Sequence, residues 1–305
     1  MRRKCGFVLL LAGTLGLYGA NNVPPGTPVS VLVTVESKGE NSSTLSKDDV
    51  LVKEDRDSRP VTEFRRLDGT SSQILLLIDD SAGGGFDTQI SDIKKFILAL
   101  PANAEVGVGY MRNGMSQIAS DFTLDHSKAA NSVRLAMGSG GGDVSPYDSL
   151  TDAIKKWPMK DSVVRREVVM ISSGIEGLGG GFPPDNPYVN AGIASAVKAG
   201  ILVYAIYNPG YGHLGHSLWR ATEGQNFLSQ LTDETGGELY LIGFGSAVSF
   251  EPYFTDILKR QSEQYVLTFE ARPEKKSGME AVKIRAASRG VSLAAPDKIY
   301  VKAGL

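Results

Sequence analysis

The chain has 305 residues, 42% hydrophobic and 22% charged. That is enough apolar content to bury a large core, and it excludes fibrous, collagen-like and wholly disordered chains. Thirty-two basic against 34 acidic residues give a net charge of −2, so no bulk charge draws the protein to nucleic acid or anionic lipid.

Arg2, Arg3 and Lys4 precede an apolar run from Gly6 to Leu17, with Gly19 and Ala20 after it. This is the layout of a secretory signal peptide over residues 1–20. The run is too short to span a bilayer comfortably, an uncleaved anchor being the alternative, and no other segment reaches the roughly 20 residues a spanning helix needs. Cys5, the single cysteine, would leave with the signal. Disulfides, zinc thiolates and cysteine nucleophiles then drop out of the mature chain together. The expected address is extracytoplasmic, either secreted or periplasmic.

Residues 21–28 (NNVPPGTP) read as an extended spacer, because proline fixes φ and disfavours helix before it. Val29, Val31, Val33 and Val35 alternate as in a half-buried strand. Val50 to Val52 and Val61 to Phe64 follow as short antiparallel strands between polar loops. These make an N-terminal β segment over 29–70. The texture then changes. Ile74 to Ile78 is apolar throughout, as a strand covered on both faces must be. Ile90, Ile93, Phe96, Ile97 and Leu100 recur at helical spacing and stop before Pro101. Glu105 to Met111 and Gln117 to Thr123 flank Asn113-Gly114, a hairpin signal. Helices are expected over His126 to Met137, Tyr147 to Trp157, Ala191 to Lys198, Phe227 to Thr235 and Phe250 to Gln264. Between them, Val168 to Ser172 and Ile201 to Tyr207 are buried strands, and Leu239 to Ile242 is a short one. Residues 71–264 therefore read as an α/β domain with a doubly wound, mostly parallel central sheet. After Gln264, strands return without helices at Tyr265 to Ala271, Ala281 to Ala286 and Lys298 to Val301. A lone hairpin is marginal in water, so the C-terminal segment 265–305 should pair with the N-terminal one in a small antiparallel β unit.

Asp79, Asp80 and Ser81 follow the first buried strand directly. Ligands of open α/β sheets bind at such carboxyl ends, and Asp79 and Ser81 could offer oxygens to a hard cation. Their plainer role would be to cap a helix or hold a turn. At this point the chain resembles von Willebrand factor A-type (VWA) domains, specifically the secreted bacterial group called VWFA-related. The resemblance runs from Val29 to the C-terminus. It is carried by the opening strands, ILLLIDDS, PYDSLTDAI, RREVVMISSG, GGELY and SEQYVLTFEA in that order and spacing. It implies a D-x-S-x-S turn, a threonine in a second loop and an aspartate in a third, together holding Mg²⁺ or another divalent cation. Asp79 and Ser81 match the first two positions. Gly83 replaces the second serine, Val144 with neighbouring Ser145 stands for the threonine, and Ser173 replaces the aspartate. The set Asp79, Ser81, Ser145 and Ser173 is thus degenerate, with Asp80, Asp143 and Glu176 as stand-in carboxylates. Binding with no cofactor at all is the expectation this favours, since Mg²⁺ is held through carboxylates.

Other motifs lack context. Gly210 to Gly215 matches G-x-G-x-x-G, but no acidic residue closes the next strand. An acidic pair after a strand also suits a phosphoacceptor site, which needs a further aspartate where Val168 to Ser172 ends in serines. His213 and His216 have no evident third ligand. There is no G-x-S-x-G elbow and no H-E-x-x-H. Glycine clusters at 83–85, 138–142, 177–181 and 210–215 fall mostly after strands, as does an expected long loop from Pro209 to Gly224. The reading is an exported, non-enzymatic binding or adhesion-type module that recognises a protein or cell-envelope ligand through these loops. A hydrolase on the same face and a structural envelope component are the alternatives, and the oligomeric state is not legible.

Overall fold

A computed structural model describes residues 26–37, 45–82, 86–138, 145–160, 165–177, 186–209, 217–241, 243–245, 247–288 and 290–304. The signal segment, most of the glycine clusters, the G-x-G-x-x-G stretch, His213, His216 and Asp143 lie outside the described residues.

In chain order, β1 (Thr27–Ser37) is followed by a 3-10 turn (Lys47–Asp49), β2 (Val50–Glu54), β3 (Asp57–Arg59), β4 (Val61–Arg66) and β5 (Ser72–Asp79). Next come α1 (Phe86–Ala99), β6 (Ala104–Arg112), β7 (Met115–Thr123), α2 (His126–Asn131), α3 (Pro146–Lys155) and β8 (Arg165–Ser172). Then follow α4 (Pro187–Ala199), β9 (Leu202–Tyr207), α5 (Leu218–Thr235), β10 (Leu239–Tyr240) and α6 (Glu251–Ser262). Four strands close the chain: β11 (Gln264–Ala271), β12 (Gly278–Ala286), β13 (Val291–Ala294) and β14 (Lys298–Val301).

The central sheet runs β10-β9-β8-β5-β6-β7. All its pairings are parallel except that of β7, which returns antiparallel on the edge. The return is made by Asn113 (φ 52°) and Gly114 (φ 64°), the left-handed pair that a two-residue hairpin turn requires. Each residue of β5 is buried, and alternate side chains serve opposite faces. Ile74, Leu76 and Ile78 pack with Ile93 and Phe96 of α1, Ala129 of α2 and Phe254 of α6. Leu75 and Leu77 pack with Leu150 of α3, Ile193 of α4 and Leu231 of α5. Fully burying one such side chain contributes about 1.5–3 kcal/mol, so this doubly covered strand anchors the fold. The doubly wound class read from the sequence is the one observed.

The two chain ends build two four-stranded antiparallel sheets, β13-β1-β11-β4 and β14-β12-β2-β3. Val33, Leu267, Val52, Val282 and Val301 fill one core between them. On the other side, Leu32 and Val266 reach into the α/β core.

Several boundaries differ from expectation. Thr27 and Pro28 belong to β1, not to a spacer, and Gln264 opens β11, so α6 stops earlier than read. α2 ends at Asn131, because Tyr110 draws the following chain away: its hydroxyl donates to the Arg134 carbonyl and accepts from the Arg134 N–H. α5 begins nine residues earlier than the apolar pattern suggested. Ser217 caps it by accepting the Arg220 N–H, so the expected loop to Gly224 contains the first two turns of a helix, and Trp219 is helical. The strands β3 and β13 had no clear signal in the sequence.

Candidate functional site

The carboxyl ends of β5, β8 and β9 are joined by buried polar side chains. Asp79, at the end of β5, accepts the Ser81 N–H (2.9 Å) and the Ser81 hydroxyl (2.6 Å) on Oδ1. Its Oδ2 accepts the Ser172 hydroxyl from β8 at 2.8 Å. Ser172 Oγ in turn accepts the Gly174 N–H at 3.0 Å. Burial raises the Asp79 pKa above the ordinary carboxylate range. The Ser81 and Ser172 hydrogen bonds oppose that shift, and the Asp80 charge adds to it.

Asp80 is fully buried yet points elsewhere. Arg134 clasps it with two nitrogens, at 2.7 and 3.0 Å, and Arg112 lies 3.9 Å away. The Arg134 guanidinium also stacks 3.7 Å from the Tyr110 ring centroid. A buried carboxylate needs such a partner, because taking an isolated charge out of water is very costly.

The second and third loops meet in a separate group. Ser145 caps α3, its oxygen accepting the Asp148 N–H at 3.0 Å while its hydroxyl donates to Glu176 Oε2 at 2.7 Å. The Tyr147 hydroxyl donates to the Gly174 carbonyl at 3.1 Å. Burial, reinforced by the charges of Glu176 and Glu223, holds that phenol well above its usual pKa. Ser173 is buried and accepts the Ile175 N–H at 3.4 Å. Gly174 (φ +67°) lies against α5: a Cβ there would sit 2.4 Å from the Gly224 carbonyl oxygen. Beyond β9, Asn208 donates to Gln89 at 3.3 Å, Gln89 donates to the Ala247 carbonyl, and Asp92 accepts the Ser249 hydroxyl at 2.6 Å.

The structure therefore brings Asp79 and Ser81 together, joins Ser145 to Glu176, and places Ser173 in the same loop as Glu176. It separates Asp80 from them by turning it to Arg134. Sequence reading missed three members. Ser172 was legible only as the last residue of a strand, Arg134 fell within an expected helix, and Asp92 carried no signal.

The resemblance implies a divalent cation held by Asp79, Ser81, Ser145 and Ser173. A ligand must be deprotonated to bind metal, whereas burial favours the protonated form of Asp79. Both Asp79 oxygens already accept hydrogen bonds, and the remaining matched positions offer serine hydroxyls. Among the described residues, no three His, Cys, Asp or Glu side chains gather as a metal-holding group. The described side chains are joined to one another as a hydrogen-bonded brace.

Leu135, Met137, Leu218, Phe244 and Val248 are exposed, Val248 by 90%. Met137 is tied to the site through its N–H on Asp80 (3.4 Å), and the turn at 243–245 through Gln225, which donates to the Gly243 carbonyl at 2.7 Å.

No family model matches the chain, and no curated protein matches it in sequence. Among solved structures, an aerotolerance-related membrane protein from Bacteroides fragilis is 16% identical with a TM-score of 0.46, the match covering 63% of this chain and 98% of that one. VWA2, the ArnB paralog from Sulfolobus acidocaldarius, is 10% identical with a TM-score of 0.40, covering 91% and 76%. The pilus adhesin SpaC from Lactobacillus rhamnosus GG is 9% identical with a TM-score of 0.43, covering 88% and 49%. The fold assignment rests on the sheet order and winding described above. Among the described residues, no helix is long and apolar enough to cross a membrane.

Proposed function

We propose that the chain is an exported, non-enzymatic binding module. It recognises a protein or cell-envelope ligand with the loops at the carboxyl ends of its central strands, and it does so without a tightly held cation. The observation that carries this reading is the pairing of an apolar rim with a braced polar interior. Leu135, Met137, Leu218, Phe244 and Val248 stand exposed, while the carboxylates of the candidate site are committed to protein donors. Exposed apolar side chains favour association with another surface. The buried polar groups beneath them hold the loops in one conformation, which lowers the ordering cost of binding.

In this reading Asp79 and Ser172 tie β5 to β8, Ser145 and Glu176 tie the second loop to the third, and Arg134 fixes the segment carrying Leu135 and Met137. If a divalent cation were bound, Asp79, Ser81, Ser145 and Ser173 would hold it. Binding through the exposed apolar side chains needs no ion to complete it.

The test is capture from an envelope fraction by immobilised mature protein, with a Phe244→Ser/Val248→Asp variant in parallel. One reproducible ligand held by the wild type and lost by the variant is expected, because losing hot-spot contacts costs about 2 kcal/mol or more, roughly 30-fold in affinity. Ligand retention by the variant would contradict the reading. So would reproducible turnover, in a broad activity screen, that the loop substitutions abolish.

A further inference from the structure

At the opposite end of the molecule, β1 is paired unequally along its two edges. One edge carries β11 from Thr27 to Thr34. The other carries β13 only from Thr34 to Ser37, because β13 ends at Ala294 and the chain leaves through Pro296 to β14. The stretch from Thr27 to Val33 thus has no hydrogen-bonded strand on that side among the described residues. The Val35 N–H points toward the β11 side, where it donates to the Glu263 carbonyl at 2.9 Å. Backbone groups alternate along a strand, so Ser30 and Leu32 direct their N–H and C=O groups to the open side. Pro28 can offer only its carbonyl there.

An open edge is a template for pairing, and proteins ordinarily cover it, charge it or twist it away. This one opens into a cavity of about 460 Å³ between β1, the end of α4 and β14. Val197 and Ala199 of α4 and Ile299 of β14 supply apolar wall. Arg166, Lys198, Lys298 and Lys302 also line it, and no lining residue is Asp or Glu. Lys298 is paired with Glu234 at 2.8 Å, and Lys198 stands 5.2 Å from the Tyr300 ring centroid.

We propose that this groove takes an extended, acidic peptide segment of a partner protein, which adds as a strand to the free half of β1. Main-chain hydrogen bonds to Ser30 and Leu32 supply the pairing, as in other strand-addition complexes. The side chains of the incoming strand alternate, one set toward the apolar wall and the other toward the cations. At about 3.3 Å per residue, the free stretch suits a segment of roughly six or seven residues. The charge argues against a second copy of this chain as occupant, since a twofold pairing of β1 edges would bring two cationic grooves together.

The probes are capped heptapeptides alternating apolar residues with glutamate, and matched peptides with lysine in place of glutamate. Binding to the full mature chain is read by fluorescence anisotropy, and edge pairing by amide hydrogen exchange. The glutamate peptides are expected to bind at least 10-fold more tightly than the lysine peptides and to slow exchange at Ser30 and Leu32. Lys302→Glu should weaken binding at least 5-fold with an unchanged melting curve. Ser30→Pro, which removes one donor from an exposed edge position, should weaken it at least 10-fold. Absence of binding at millimolar peptide, or binding without protection of Ser30 and Leu32, would overturn the proposal. Concentration-dependent dimerisation that protects those two amides without peptide would also overturn it, in favour of a second copy.

Discussion

At the scale of single residues, Asp79 decides between a cation ligand and a structural brace. Its carboxylate takes donors from Ser81 and from Ser172, 93 positions away in the chain. Asp79→Ala would leave the buried Ser172 hydroxyl without its acceptor. An unsatisfied buried group costs about 1–3 kcal/mol, and denaturant unfolding should read a loss of that size. Asp79→Asn keeps an acceptor for Ser81 and should cost under about 1 kcal/mol at neutral pH. The pH dependence follows from the raised pKa of Asp79. Folding favours its protonated form, so its contribution to stability is fully present below the unfolded value of roughly 3.9. That contribution is lost as pH rises through the higher folded value. Stability of the wild type relative to Asp79→Asn should therefore fall from acid toward neutral pH. A gain over that interval would show that the ionised form is the one the fold stabilises, as a cation ligand would require.

At the scale of elements, α5 meets the loop after β8 in a close backbone junction. A Cβ on Gly224 would meet the Ser173 carbonyl oxygen at 2.3 Å and the backbone of Gly174 and Ile175 at 3.0 Å. Glycine to alanine inside a helix ordinarily stabilises by about 1 kcal/mol. Here overpacking against backbone, about 1–3 kcal/mol, opposes and should exceed that gain. Gly224→Ala is expected to lower the melting temperature, and a rise would refute the close approach. This junction also shows what the sequence could reveal. The strand Ile74 to Ile78 was plain, because burial on both faces leaves an unbroken apolar run. The first half of α5 was not, because Gly224 answers to its neighbour and not to helix propensity. β3 is polar throughout and is held by pairing with β2 and by the 2.7 Å contact from Arg59 to Glu54. β13 has only four residues and exists as a partner for β1. At the candidate site, Asp79 and Ser81 were legible from their position after a buried strand, and Ser145 only through the family resemblance. Ser172 and Arg134 were not, since each meets its carboxylate through tertiary structure.

At the scale of the whole molecule, the β unit is stitched to the α/β core by polar and apolar contacts together. Arg260 of α6 binds Asp256, Glu36 of β1 and Glu238, each at 2.7 Å. Buried Glu167 of β8 accepts from Gln261 and Gln264, while Leu32 and Val266 enter the α/β core. With so much shared burial, far-UV and near-UV signals should report one coincident thermal transition. Two separated transitions would mean that the β unit unfolds independently. The same architecture puts the loop face at one end of the central sheet and the open half of β1 at the other, so two ligands could be held at once. The central claim is that the loop face binds through its apolar rim and not through a metal ion. It is tested most directly by the dissociation constant of the captured envelope ligand, measured in millimolar Mg²⁺ and again in chelator. The predicted result is the same constant in both, with at least a 30-fold weakening in Phe244→Ser/Val248→Asp. Loss of binding in chelator, restored by Mg²⁺ and absent in Asp79→Ala, would contradict it.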